Sequence, residues 1–93
     1  MRTTEWTSQF KRDYKREAKG QHRNSLDVEL FRIIALLAND LPLLPRQRDH
    51  ALSGTWSDHR DCHIKPDLVL IYMKPSFDIL RLVRLGSHSE LGL

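Results

Sequence analysis

Three observations predict an α+β fold, with an N-terminal strand and an α-hairpin packed on one face of a small antiparallel sheet. Apolar residues recur at helical spacing as far as Leu41. From Leu68 onward they run continuously or alternate, as strands require. Pro42, Pro45, Gly54, Pro66 and Pro75 punctuate the change of period and the turns that follow. A chain of 93 residues holds one modest core, so residues 1–93 are expected to form a single domain.

The elements follow in order. Arg2–Thr7 carries the threonines and tryptophan of a short first strand. Ser8 can cap a helix that runs to about Lys19 and is closed by Gly20. Phe10, Tyr14 and Ala18 recur every four residues as one buried stripe, and Lys11, Arg12, Lys15, Arg16 and Lys19 take the rest of the circumference. Aromatic side chains at this spacing read as packing. Asn24-Ser25 offers a second cap, with Asp27 and Glu29 in the first turn where the helix dipole favours anions. Leu26, Leu30, Ile33, Ile34, Leu37 and Leu41 then line one face of a helix that Pro42 ends.

The second half reads as strands. Ser53-Gly54-Thr55 marks a turn and His59–Lys65 a strand of mixed polarity. Pro66-Asp67 separates it from Leu68–Met73, a continuous apolar run suited to a central strand. Lys74–Asp78 supplies a hairpin connection to a last strand, Ile79–Leu85, and Gly86 permits a turn or bulge before the tail His88–Leu93. Two helices on one face leave the other face and the strand ends open for a site.

Composition narrows the class. The chain is 40% hydrophobic and 29% charged, and no apolar run approaches the roughly 20 residues of a membrane-spanning helix. Met1–Glu5 leads into a charged helix, which argues against a secretory signal. The single cysteine, Cys62, cannot form an internal disulfide and fits a reducing cytoplasm. The net charge of +3 is uneven: residues 1–24 carry seven Lys/Arg against three Asp/Glu, and residues 25–93 carry eight against nine. A basic N-terminal quarter suits a polyanion or an acidic protein partner.

Four of the five histidines (His50, His59, His63 and His88) fall in the sheet half. Imidazoles exchange protons near neutral pH, which is what cleavage of RNA by its own 2′-hydroxyl demands. One group removes the hydroxyl proton, another protonates the departing 5′-oxygen, and a cation offsets the charge that grows on the phosphate. No cofactor is needed. Asp58, His59, Asp61, Cys62 and His63 are potential metal ligands, but the paired spacing of a zinc site is missing, and no metal is expected.

Four blocks carry a resemblance. Asp49-His50-Ala51-Leu52-Ser53-Gly54-Thr55-Trp56, Arg60-Asp61-Cys62-His63-Ile64-Lys65-Pro66-Asp67, Leu70-Ile71-Tyr72 and Arg84-Leu85-Gly86-Ser87-His88 appear in order across residues 49–88. In this the chain resembles the YafQ branch of the RelE superfamily of toxins. The resemblance implies a RelE-like fold and the toxin of a type II toxin–antitoxin system. Such a toxin is an endoribonuclease that enters the ribosomal A site, cleaves translated mRNA and so inhibits translation and growth. It implies a cognate antitoxin of DinJ-like, ribbon-helix-helix type, and contact with operator DNA only through the toxin–antitoxin complex. Carried over by position, His50, His63, Asp67 and His88 match the catalytic set and Arg84 the transition-state cation. His88 is assigned as general acid and His50 as candidate base, with His63 and Asp67 orienting it or sharing its role, His63 and Asp67 being read as a pair. Arg60 and Lys65 are assigned to phosphates, and Trp56 to the core. Two positions depart from the family pattern: Gly92 stands near the place of a stacking aromatic, and Leu68 replaces a tryptophan. The alternatives are a non-nuclease ParE-like gyrase inhibitor, which has no use for paired imidazoles, and a basic nucleic-acid-binding module, which would not depend on His50 or His88.

Overall fold

The computed structural model describes residues 1–93. The elements are β1 (Thr3–Trp6), α1 (Ser8–Ala18), α2 (Leu26–Ala38), β2 (His50–Ala51), β3 (Arg60–Lys65), β4 (Leu68–Ser76), β5 (Ile79–Gly86) and α3 (His88–Leu91), with 3₁₀ turns at Pro45–Gln47 and Gly54–Trp56. One sheet orders the strands β1-β5-β4-β3-β2. Every neighbouring pair is antiparallel except β1 with β5, which is parallel. The wholly antiparallel sheet expected from sequence therefore fails at this one edge. No tight turn joins β1 to β5, so nothing forces them antiparallel.

Both helix ends follow local chemistry. Thr7 rather than Ser8 caps α1: its hydroxyl accepts from the Phe10 N–H at 3.1 Å and donates to the Val83 carbonyl at 2.9 Å. α2 stops at Asn39 because Asp40 adopts a left-handed conformation (φ 55°). The Asp40 and Leu41 N–H groups then donate back to the Leu37 and Leu36 carbonyls, the paired bonds of a Schellman ending. Leu41 is thus outside the helix and exposed, and does not extend the buried stripe.

The main core lies between the helices and the sheet. Phe10, Leu26, Leu30, Ile33 and Leu37 pack there against Leu68, Leu70, Tyr72, Leu80, Leu82 and Leu85. Each such side chain contributes about 1.5–3 kcal/mol when fully buried. Ala18 is exposed, contrary to the four-residue stripe, and Asp13 is buried instead. The reason lies on β5, whose edge beyond Leu82 has no strand beside it because β1 ends at Trp6. Asp13 accepts the Leu85 N–H at 3.0 Å and Arg16 donates to the Leu85 carbonyl at 2.8 Å, so α1 satisfies that edge with side chains.

The opposite face carries a smaller cluster of Val69, Ile71, Val83 and Leu91, joined by the half-buried Trp56. Two bulges set which residues reach it. Ile71 pairs with Arg84 and Tyr72 with Leu82, so Val83 is an extra residue and Leu85 returns to the main core. His63 pairs with Val69 and Lys65 with Leu68, which ends the alternation of β3 after His63.

Candidate active site

The register of β3 decides what faces the open side. Asp61 lies opposite Ile71 and His63 opposite Val69, so both side chains share the face of the smaller cluster. β2 pairs His50 with Asp61 and so adds a second imidazole to that face. α3 brings His88, because the Ser87 hydroxyl accepts the Glu90 N–H and the Glu90 carboxylate accepts the Ser87 N–H, fixing the turn just before it. His50, Asp61, His63 and His88, with Arg48 and Leu93, line a cleft of about 580 Å³.

Two carboxylates order the imidazoles. His88 Nδ1 lies 2.8 Å from Asp67 Oδ1, and the His88 backbone N–H donates to the same oxygen at 3.3 Å. These two bonds hold the Asp67 carboxyl below the usual carboxylate range, so it is ionised and His88 Nδ1 is the donor. Asp67 therefore partners His88 and not His63, in contrast to the pairing read from sequence. His63 instead stands edge-on to His88, with ring centroids 5.0 Å apart at 68°. Burial and the charge of His88 push the His63 pKa down against the opposing pull of Asp61, with Arg48 and His50 adding to the fall, so its ring is neutral at neutral pH.

His50 Nδ1 lies 2.9 Å from the Arg48 carbonyl oxygen, which can only accept. The proton therefore sits on Nδ1 and the lone pair on Nε2, the form a base requires. Asp61 Oδ1 is 3.0 Å from the same Nδ1, yet it has no directed hydrogen-bond partner, because that N–H is aimed at the carbonyl. The contact is electrostatic. Asp61 is 2% exposed, and burial raises its pKa against the opposing pull of His50, His63 and His88.

Other sequence-assigned residues lie elsewhere. The Arg84 guanidinium is held by Asp13, at 2.7 Å and 3.3 Å, and does not line the cleft. Arg60 pairs with Tyr72 across the strands and so lies on the helix side, where its Nε donates to Asp49 at 3.2 Å; the Tyr72 hydroxyl donates to the same oxygen at 2.5 Å. Arg60 therefore does not line the cleft: Asp49 engages its guanidinium and the alternation of β3 points it away from the histidines. His59 bonds to the Ser57 carbonyl, outside the cleft. Lys65 borders a second cavity beside His63 and His88.

Sequence reasoning missed Asp61 and Arg48. The alternation of β3 already put Asp61 beside His63. Nothing in the sequence announced Arg48, whose place depends on a left-handed turn (φ 48°). No three His, Cys, Asp or Glu side chains are grouped as ligands for a metal ion. No helix is long and apolar enough to cross a membrane.

The family profile for a bacterial toxin of type II toxin–antitoxin systems, YafQ, matches residues 2–92. The mRNA interferase toxin YafQ of Escherichia coli K12 is 36% identical over 91 residues, spanning 98% of this chain and 96% of the relative. A copper-bound mutant toxin from Helicobacter pylori superposes with a TM-score of 0.86 at 40% identity, over 98% of this chain and 99% of that one. YafQ in the E. coli DinJ–YafQ complex superposes at 0.81 with 36% identity, over 98% of both chains.

Proposed function

Because the chain belongs to the YafQ family of toxins from type II toxin–antitoxin systems, we propose that its histidine cleft cuts messenger RNA by metal-independent acid–base chemistry. The observation that carries this reading is the pair of oppositely prepared imidazoles, His50 with a free Nε2 lone pair and His88 with its Nδ1 on an ionised carboxylate.

His50 Nε2 takes the proton of the 2′-hydroxyl, and the 2′-oxygen bonds to phosphorus. The bond from phosphorus to the 5′-oxygen breaks, and that oxygen takes its proton from His88 Nε2. The products are a 2′,3′-cyclic phosphate and a free 5′-hydroxyl. Each imidazole is worth on the order of 10² to 10⁴ in rate. Asp67 orients His88, and the neutral His63 packs against it. Asp61 stands behind His50 and offsets the charge His50 gains with the proton. Arg48 lines the cleft without an ion-pair partner and meets the charge on the phosphate. Arg84 joins it only by exchanging Asp13 for phosphate.

The cleft works in the cytoplasm on mRNA in the ribosomal A site. A cognate antitoxin like DinJ, the partner of the E. coli relative, restrains it and supplies the contact with operator DNA. Expression of the wild type and His88→Ala, followed by mapping of mRNA ends, tests the assignment. Equal cleavage by the two proteins would overturn it.

A further inference from the structure

We infer that the cavity beyond His63 and His88 is a second phosphate subsite, which grips the mRNA backbone on the 3′ side of the cut. The direction rests on the roles proposed above for His50 and His88.

This cavity, about 760 Å³, shares Arg48, His63 and His88 with the cleft, and adds Arg46, Lys65 and Glu29. Its charged walls are thus three cations and one carboxylate, with the two imidazoles at the boundary. Arg46, Arg48 and Lys65 form no ion pair, unlike Arg2, Arg16, Arg60, Lys74, Arg81 and Arg84. Unpaired cations around one concave space are the arrangement that neutralises a phosphate backbone and releases its counterions.

The turn that presents the arginines is built for it. Gln47 is buried, and its side-chain oxygen accepts the Leu44 N–H at 2.8 Å, which pins the 3₁₀ turn Pro45–Gln47. Arg46 and Arg48 flank that anchor and are exposed. Arg48 is left-handed (φ 48°), a conformation that is unfavourable for a side-chain-bearing residue and concentrates at functional sites. Its carbonyl fixes the His50 ring while its side chain borders both spaces.

The two spaces differ in one respect that gives direction. His50 lines only the cleft, whereas His88 lines both. The nucleotide whose 2′-hydroxyl is deprotonated lies on the His50 side. The 5′-oxygen that leaves, protonated by His88, carries the following nucleotide into the second cavity.

The test is cleavage on ribosomes programmed with synthetic mRNAs, each bearing one uncharged methylphosphonate linkage next to the scissile phosphate. With all phosphates intact, Arg46→Gln/Lys65→Gln is expected to raise KM about tenfold with kcat nearly unchanged. Placing the neutral linkage first on the 3′ side should raise the wild-type KM and erase the difference between wild type and variant. Placing it on the 5′ side should leave the difference in full. A difference that survives the 3′ linkage overturns the subsite, and one erased by the 5′ linkage overturns its direction. A circular dichroism melt unchanged by the two substitutions, which lie at exposed and half-exposed positions, ties the KM effect to binding. His88→Ala in the same assay tests the acid separately, since wild-type cleavage by that variant removes the basis for direction while leaving the coupling measurement to stand.

Discussion

The carboxyl of Asp61 lies 3.0 Å from His50 Nδ1 and is almost wholly buried, so one face of the proposed base rests on a group that water does not screen. Burial raises the Asp61 pKa, which means folding disfavours its ionised form. Stability from such a group is full below the unfolded value and is lost as pH rises through the higher folded value. Ionising Asp61 in the folded state therefore costs stability, and we propose that its charge supports the base.

Asp61→Asn should divide those two effects. At pH 7 the variant is expected to be more stable by on the order of 1 kcal/mol, about 4–8 °C in Tm for a domain of this size. Its kcat should fall at least about tenfold, because the charge that offsets protonated His50 is gone. Below pH 4 the two melting curves should converge. A variant that melts lower and cleaves normally would show Asp61 to be only a packing residue.

Asp67 is exposed, and its worth lies in the two bonds it accepts from His88. Asp67→Asn keeps the shape but removes the charge, so kcat should fall by on the order of 10² while KM stays within about twofold. The alkaline limb of the pH–rate profile, where a general acid loses its proton, should also move, since the residue that Asp67 holds is the proposed acid. Asp67→Glu should recover part of the rate. A drop confined to KM, with an unmoved profile, would make Asp67 a turn former at the start of β4.

How far the sequence could be read depends on whether a feature was periodic or non-local. The stripe from Leu26 to Leu37 is periodic and the apolar run from Leu68 to Tyr72 is continuous, and both lie where these local patterns put them. The spacing Leu80, Leu82, Leu85 breaks alternation by one residue, and the bulge at Val83 is that break made visible. β2 has two residues and α3 has four, too few to leave a periodic mark. Nothing local marks Asp13 as buried, because its partners, Leu85 and Arg84, are more than 70 residues away. The histidines were legible as a set, yet Asp67 was matched to His63, and only the turn into α3 brings it to His88.

Asp13 itself carries the third prediction. It serves the bare edge of β5 and two guanidiniums together. Burial works to raise its pKa, but the bonds from Arg84 and Leu85 and the charges of Arg84 and Arg16 outweigh it, and the net shift is downward. Its stabilisation is therefore present above the unfolded value and is lost as pH falls through the lower folded one. Asp13→Ala should cost about 3 kcal/mol, or roughly 10–20 °C in Tm, with the difference shrinking below pH 3. It also frees Arg84. Cleavage per folded molecule, measured well below the variant's Tm, should stay within about threefold of wild type. Loss of cleavage with an unchanged melting curve would move Asp13 from the scaffold to the site.

Chelation provides the fourth. Within the cleft, the ring nitrogens that face carboxylate or carbonyl oxygen are His50 Nδ1 and His88 Nδ1, and both are already engaged. The remaining nitrogens belong to no group of three donors close enough to share an ion, and Arg48 beside them opposes a cation. In the proposed mechanism RNA supplies its own nucleophile, so an ion would have no water to activate. Cleavage by protein dialysed against a strong chelator of transition metals should keep the wild-type rate, measured on ribosomes restored to their own magnesium. A rate that falls at least tenfold and returns with zinc or copper, but not with magnesium, would replace the two-imidazole mechanism with a metal-assisted one. The same readout on His50→Ala separates the cases, because a metal mechanism would lose its ion in that variant and the acid–base mechanism only its base.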